Sequence, residues 1–96
     1  MKTIYKYPLP EIINTVKLPI GYKILTAEKQ GTKVFAWVLV DPSETEMVDV
    51  KFYVFYTGQS IPGNEIEDLD YINTIMFDNG MFVYHIFAEK TQFNNV

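Results

Sequence analysis

The stretch Tyr71–Ala88, YINTIMFDNGMFVYHIFA, decides the fold. Two runs rich in β-branched and aromatic residues, 71–77 and 81–88, flank the tripeptide Asp78–Gly80. Such residues favour strands, and an Asn-Gly pair tolerates the positive φ angles of a tight turn. The stretch therefore predicts a β-hairpin.

The rest of the chain repeats this pattern of short apolar runs separated by turn residues, and no segment keeps a helical period. Five further strands are predicted, at residues 3–7, 12–18, 22–30, 33–40 and 48–56. At most one short helix is predicted, near residues 64–70, with Asn64 as its cap and Glu67 completing a capping box. The sequence thus predicts one all-β domain over residues 1–96, an antiparallel sandwich or partly open barrel of about seven strands.

Two of these strands are apolar on both faces, KVFAWVLV at 33–40 and the aromatic end of the next, KFYVFY at 51–56. A strand without a polar face is either central and covered twice, or it contacts another subunit. We therefore expect a homodimer or higher homo-oligomer that uses the second apolar face of one of these strands, with isologous pairing as the default.

Composition excludes several classes of function. The chain has 96 residues and no cysteine, which rules out disulfides, thiolate catalysis and cysteine-based metal sites. Its eight basic residues are all lysines, against twelve acidic residues, for a net charge of −4. Such a surface repels a phosphate backbone and lacks the bidentate arginine clamp, so no nucleic-acid partner is predicted.

Targeting and cofactor signals are also missing. The N-terminal MKTIYKYPLP has no apolar h-region, and no window approaches the roughly 20 apolar residues of a membrane span, so a cytoplasmic protein without a membrane partner is predicted. Gly58 and Gly63 form neither a P-loop nor a dinucleotide fingerprint. The loop carboxylates around Asp41 lack the spacing of a calcium loop, and neither a metal nor a cofactor is predicted.

His85 is the only histidine of the chain and lies within the predicted strand FVYHIFAE. It could serve as a general base or contact a ligand. The alternative is a packed histidine whose nitrogens are satisfied by neighbours, and no Ser or Cys nucleophile can be assigned to it. The sequence therefore predicts no catalytic residue, and the protein is not expected to be an enzyme.

The binding site is predicted where the aromatic strand ends in the loop TGQSIPG at 57–63. Aromatic rings can stack on a base or sugar ring while hydroxyl, amide and backbone groups bind its polar atoms. The alternative is that the rings are core and the loop only turns the chain. The predicted ligand-binding residues are Trp37, Tyr53, Phe55, Tyr56, Thr57, Gly58, Gln59, Ser60 and His85.

Several sequence blocks, in order along nearly the whole chain, resemble a family of small uncharacterised proteins of phages and their bacterial hosts, a domain of unknown function. The blocks are KTIYKYPL, LPIGYKILTAEKQ, WVLVDP, YTGQSIP, YINTIMF and FVYHIF. Where the resemblance leads one to expect Gly-Thr-Gly-His, this chain has Tyr56, Thr57, Gly58 and Gln59. A catalytic histidine at that place would be lost here, whereas Gln59 can still form the hydrogen bonds that binding needs.

The resemblance implies action by occupancy, because small phage proteins commonly bind a host protein or sequester a signalling nucleotide. The function expected from it is non-enzymatic sequestration of a small, cyclic nucleotide-like immune signal, which would evade antiviral defence in the host cytoplasm. The alternative is a protein interaction module that inhibits a host protein or has a structural role in the virion. A third possibility is an enzyme that uses His85 with a loop carboxylate.

Overall fold

A computed structural model describes residues 1–91 and shows an all-β protein, as predicted. Its single α-helical turn is α1 (Gly63–Ile66), and a 3-10 turn covers Asp78–Gly80. The seven strands are β1 (Thr3–Pro8), β2 (Ile13–Pro19), β3 (Lys23–Gln30), β4 (Lys33–Val40), β5 (Met47–Tyr56), β6 (Leu69–Phe77) and β7 (Phe82–Glu89).

The strands form two antiparallel sheets that pack face to face and do not close into a barrel. One sheet has three strands in the order β1-β4-β3, and the other has four in the order β2-β5-β7-β6. Of the two predicted architectures, the sandwich is therefore confirmed. The two strands predicted to be apolar on both faces, β4 and β5, are each central in their sheet.

The core lies between the sheets and is made by alternate residues of each strand. On β5 the inward residues are Val50, Phe52 and Val54. They share one core cluster with small residues of the three-stranded sheet such as Ala36, which is fully buried. Because successive side chains of a strand point to opposite sides, the intervening Tyr53 and Phe55 must lie on the outer face of the four-stranded sheet.

Both predicted hairpins form. Gln30 pairs with Lys33, which leaves the two-residue turn Gly31–Thr32, and Gly31 takes a φ of +66°. Between β6 and β7 the residues Asp78, Asn79 and Gly80 all have positive φ, at 50°, 56° and 89°. Asp and Asn are the side chains that best tolerate this region, and glycine has no Cβ to clash.

The predicted capping box is wrong. The helix begins at Gly63, its N-cap is Pro62 with an extended ψ of 134°, and no side chain caps it. Because an N-cap residue stands outside the helix, Asn64 is already within the first turn and cannot fill that place. No helix among residues 1–91 is long and apolar enough to span a bilayer.

Side chains join the two sheets where the edges of β3 and β6 meet. The Asn73 Nδ2 donates to the backbone oxygen of Ala27 at 2.8 Å, and the Lys29 Nζ donates to the backbone oxygen of Met76 at 2.6 Å. Both strands are irregular in register, at Ile24/Thr26 and at Tyr71/Asn73. The sandwich is thus tied along this side by side-chain bonds to exposed backbone rather than by a β-ladder.

Candidate functional site

The loop after β5 is closed by Gln59. Its backbone N–H donates to the Tyr56 oxygen at 3.1 Å, and its side-chain Oε1 accepts from the Tyr56 N–H at 2.9 Å. Gly58 between them has a φ of +87°, which a side chain would resist. Gln59 therefore has a structural task, because it satisfies both backbone groups of the last strand residue.

His85 lies beside this loop, so the structure brings together the two parts of the predicted site. The Thr57 Oγ1 is 2.7 Å from His85 Nε2, and the Thr74 Oγ1 is 3.0 Å from His85 Nδ1. The Tyr71 hydroxyl then lies 2.7 Å from the Thr74 Oγ1. A neutral imidazole donates at one nitrogen and accepts at the other, and hydroxyls can do either, so this chain of contacts is satisfied without a charge.

An aromatic layer surrounds His85 on the outer face of the four-stranded sheet. Tyr53 and Phe55 stack with ring centroids 6.1 Å apart, and Phe87 meets Phe55 edge-on at 5.5 Å. Tyr71 in turn meets Phe87 at 5.5 Å. Phe55 is only 7% exposed, although it does not belong to the core cluster between the sheets.

Two predicted site residues lie elsewhere. Trp37 is on β4 of the three-stranded sheet, where its register partners are Lys6 and Thr26. The Lys6 Nζ stands 5.9 Å from the centroid of the Trp37 ring and 4.6 Å from that of Phe35. Tyr56 follows Phe55 and therefore points to the opposite side of β5, toward the space between the sheets.

Tyr56 lines a pocket at the end of the sandwich, which we call the end pocket. Its volume is about 440 Å³. Rings pack along one wall, where Tyr84 lies 5.2 Å from Tyr56 and 5.7 Å from Phe77, centroid to centroid. The lining residues are Pro8, Leu9, Pro10, Glu11, Ile12, Thr32, Lys33, Val34, Val54, Tyr56, Phe77 and Tyr84.

Two connections between strands add further polar groups to the lining of the end pocket. The β1–β2 connection contributes Glu11, and the β3–β4 hairpin contributes Thr32 and Lys33. Pro8 and Pro10 fix the backbone of the first connection, since proline has a restricted φ. A concave site with aromatic walls and a few polar groups at its rim is the usual form of a small-ligand pocket.

Family comparison confirms the expected membership of a family of unknown function. A family model described as "Domain of unknown function (DUF7352)" matches residues 1–95. The chain belongs to this family. No curated protein and no solved structure matches it.

In this DUF7352 chain the sequence predicted only Tyr56 among the residues of the end pocket. It missed Tyr84 and Phe77, which join Tyr56 through the pairing of β5, β7 and β6, and it missed the rim residues Glu11 and Lys33. One signal was present in the sequence, because strand alternation places Tyr84 on the face opposite His85. Which face borders a pocket depends on the long-range packing of the sheets.

The carboxylates around Asp41 form no cation site, and no group of three metal-ligating side chains comes together among residues 1–91. Asp41 instead accepts hydrogen bonds from the hydroxyl and the backbone N–H of Ser43, at 2.6 and 3.0 Å. These bonds favour its charged form and lower the pKa of Asp41. Its carboxylate thus shapes the β4–β5 loop.

Proposed function

We propose that this protein binds a small nucleotide-like ligand in the end pocket without transforming it. The observation that carries the proposal is a pocket of about 440 Å³ walled by Tyr56, Tyr84 and Phe77. This volume lies within the roughly 300–1,000 Å³ typical of ligand pockets. Tyr56 is 46% exposed, and its ring can stack on a base, which contributes about 1–3 kcal/mol per base in proteins that bind single-stranded nucleic acids.

The charges at the rim narrow the ligand class. Lys33 supplies an ammonium group that can pair with a phosphate of the ligand. Glu11, in the β1–β2 connection, disfavours a second negative charge on the ligand. A cyclic mononucleotide, with one ring system and one phosphodiester charge, fits this pattern better than a ligand with two phosphates. The biological role we propose is sequestration of such a signal in a host cytoplasm, supported by the resemblance to phage proteins.

The surroundings of His85 support binding rather than catalysis. Both of its ring nitrogens already contact threonine hydroxyls, and the orienting partner is Thr74 rather than a carboxylate. A general base is usually oriented by a group that stabilises its protonated form. His85 also belongs to the outer face of the sheet, whereas the end pocket opens between the sheets.

A binding panel tests the proposal. Cyclic mononucleotides, cyclic dinucleotides and ADP-ribose derivatives are screened by thermal shift, and hits are measured by isothermal titration calorimetry. A ligand that binds only the folded state raises the Tm, and at 100 times its Kd contributes about 2.7 kcal/mol to the unfolding free energy. The cyclic mononucleotides should stabilise most. If none of the compounds raises the Tm, or if one is converted to product, the proposal is wrong.

Matched variants locate the site. Tyr56→Ala should weaken binding roughly 5- to 150-fold, which corresponds to the loss of one stacked ring. Tyr5→Ala is the control, since Tyr5 on β1 is 48% exposed and does not line the end pocket. Lys33→Gln should weaken the binding of phosphate-containing ligands and spare the nucleoside, with Lys23→Gln as its control. Equal effects of a variant and its control would argue against the end pocket.

A further inference from the structure

We propose that the outer face of the three-stranded sheet binds an acidic segment of another protein. The side chains of β4 that alternate with the buried Ala36, Val38 and Val40 point to this face. Their register partners on β1 and β3 point to the same side. The principal residues of this surface, which we call the basic face, are Ile4, Lys6, Lys23, Phe35, Trp37 and Leu39.

The described part of the chain leaves the basic face open. β3 and β4 are joined by a two-residue turn, and the other connections of this sheet, residues 9–12, 20–22 and 41–46, lead to or from the other sheet. The opposite broad face differs, because β5 and β6 run parallel with β7 between them, so residues 57–68 cross it. Of the two broad faces, residues 1–91 therefore leave only the basic face uncrossed.

Charge is divided unevenly between the three-stranded sheet and the rest of the molecule. Strands β1, β3 and β4 carry four lysines and one glutamate, a net charge of +3, although the whole chain carries −4. The remainder therefore carries −7. Both ion pairs found among residues 1–91 use lysines outside this sheet, Lys17 and Lys90. An acidic partner would supply the carboxylates that the lysines of the basic face do not find within residues 1–91.

Lys6 is held in position at the middle of the basic face. Its Nζ stands 4.6 Å from the centroid of the Phe35 ring and 5.9 Å from that of Trp37, and it donates to the Gln30 Oε1 at 2.6 Å. An ammonium group has three hydrogens to donate, so Lys6 can also bind a carboxylate of the partner. Because these contacts already order the side chain, less conformational entropy is lost on binding.

Apolar side chains lie beside the lysines and give the partner a surface to pack on. Leu39 has Ile4 as its register partner on one side and Lys23 on the other. Ile4 is 55% exposed, and Trp37 is half-buried. Tryptophan is among the residues that contribute most to protein interfaces, whereas exposed charges mainly steer the approach of the partner. The basic face thus combines both kinds of contact.

The size and charge of the basic face narrow the class of partner. Three strands about 5 Å apart and about 25 Å long offer room for one segment of a partner and give a small, transient interface. A second copy in isologous contact would place lysine against lysine. A nucleic acid would find no arginine and would be repelled by the negative charge of the remaining molecule. An acidic protein segment with apolar side chains meets none of these obstacles.

Trp37 is the only tryptophan of the chain, so its fluorescence reports directly on the basic face. The probe is a helical peptide of leucine and glutamate, about 15 residues and therefore about 22 Å long, with no aromatic residue. Titration should shift the Trp37 emission to shorter wavelength, with a Kd on the order of 10–100 µM. Binding should weaken as NaCl is raised from about 50 to 300 mM, and a peptide with lysine in place of glutamate should not bind.

Matched variants place the peptide on the basic face. Lys6→Gln and Lys23→Gln should each weaken binding about 2- to 5-fold, as expected for the loss of one exposed ion pair. Lys51→Gln, at an exposed lysine of β5, removes the same charge and should leave the Kd unchanged. Ile4→Glu should weaken binding about 10-fold or more by like-charge repulsion. Its control is Ile13→Glu on β2, since both isoleucines are 55% exposed.

Circular dichroism and thermal unfolding establish that each variant keeps its fold, and the lysine variants still decide the question if Ile4→Glu does not. Absence of a Trp37 response up to about 1 mM peptide overturns the proposal, as do equal effects of Lys6→Gln and Lys51→Gln. Tighter binding of oligothymidine, or of vesicles of phosphatidylcholine and phosphatidylserine in equal parts, assigns the face to another class of partner and overturns it too. So does a dimer, seen by sedimentation velocity, that Ile4→Glu breaks and Ile13→Glu keeps. None of the substituted residues lines the end pocket, so the two proposals fail independently.

Discussion

The hydroxyl of Thr57 lies 2.7 Å from Nε2 of His85, although 28 positions separate these residues along the chain. The contact ties the loop after β5 to the middle of β7. Together with Thr74 on β6, it makes a polar connection across three adjacent strands, set within a largely aromatic surface. Its energetic value can be measured directly.

A double-mutant cycle with Thr57→Val and His85→Leu should show coupling. Each single substitution should lower the unfolding free energy by about 0.5–1.5 kcal/mol, the net value of an ordinary hydrogen bond. The double variant should lose less than the sum of the two by a similar amount, since the pair can be broken only once. Urea unfolding followed by fluorescence measures this. Strict additivity would mean that the contact contributes nothing in solution.

Loss of the hydrogen bond from Asn73 to Ala27, which joins the two sheets, should lower the unfolding free energy more than loss of the Thr57–His85 contact. Asn73→Ala removes the Nδ2 donor from the backbone oxygen of Ala27, a residue with no exposed surface. Because a buried acceptor loses its best partner, the unfolding free energy should fall by about 1–3 kcal/mol. Asn64→Ala is the control, because Asn64 is exposed and caps no helix. It should stay within about 0.5 kcal/mol of the wild type.

A substitution at Gly58 tests the effect of backbone strain in the absence of a steric clash. It has a φ of +87°, and a Cβ built on it would meet nothing within 4 Å. Gly58→Ala should therefore cost about 1–2 kcal/mol through left-handed backbone strain alone. Gly63→Ala is the matched control, since its φ is not positive and its nearest neighbour would be the Glu67 side chain at 3.5 Å. It should be neutral or slightly stabilising. Equal losses in chemical denaturation would contradict the strained turn.

We expect Tyr22 to contribute to the loss of stability in alkali. Burial raises the pKa of Tyr22 above its ordinary value of 10.0. The unfolded chain therefore releases this proton first, so the stabilisation is complete below about pH 10 and is lost as pH rises through the higher folded value. Tyr22→Phe removes the group, and its unfolding free energy should fall less between about pH 9 and pH 11 than that of the wild type.

The control for this experiment is Tyr71→Phe, at a ring that is largely exposed. Unfolding is measured in guanidinium at each pH for the wild type and for both variants. If Tyr22→Phe and the wild type lose stability in parallel above pH 10, the buried phenol is not what limits the protein in alkali.

Local patterns were enough to predict most of the fold. Alternating apolar residues and glycine turns gave strands within one or two residues of those observed, and the β3–β4 strands meet at Gly31–Thr32 as expected. The register irregularities at Ile24/Thr26 and Tyr71/Asn73 were not predicted. Bulges depend on how the opposite sheet packs, and no local sequence pattern encodes that packing. The helix start was missed because Pro62 supplies the extended residue that precedes it.

The candidate site was predictable only in part. The sequence named Tyr53 and Phe55 among the aromatic residues of the site, and the structure stacks them. It did not reveal that Trp37 belongs to the other sheet, or that His85 meets the loop, because both depend on strand order. Strand order is set by non-local pairing and by which apolar faces bury each other. Composition and alternation therefore supplied the residue types of the site, and topology decided which of them share a surface.

The opposite directions of Phe55 and Tyr56 restrict how the length of β5 can change. One side of this strand walls the end pocket, and the other belongs to the aromatic layer of the outer face. Deleting or inserting a single residue before Phe55 would exchange these roles, with the phenol turned outward and the buried ring turned toward the pocket. Relatives that differ in length here should therefore differ by two residues, or carry a bulge that restores the alternation.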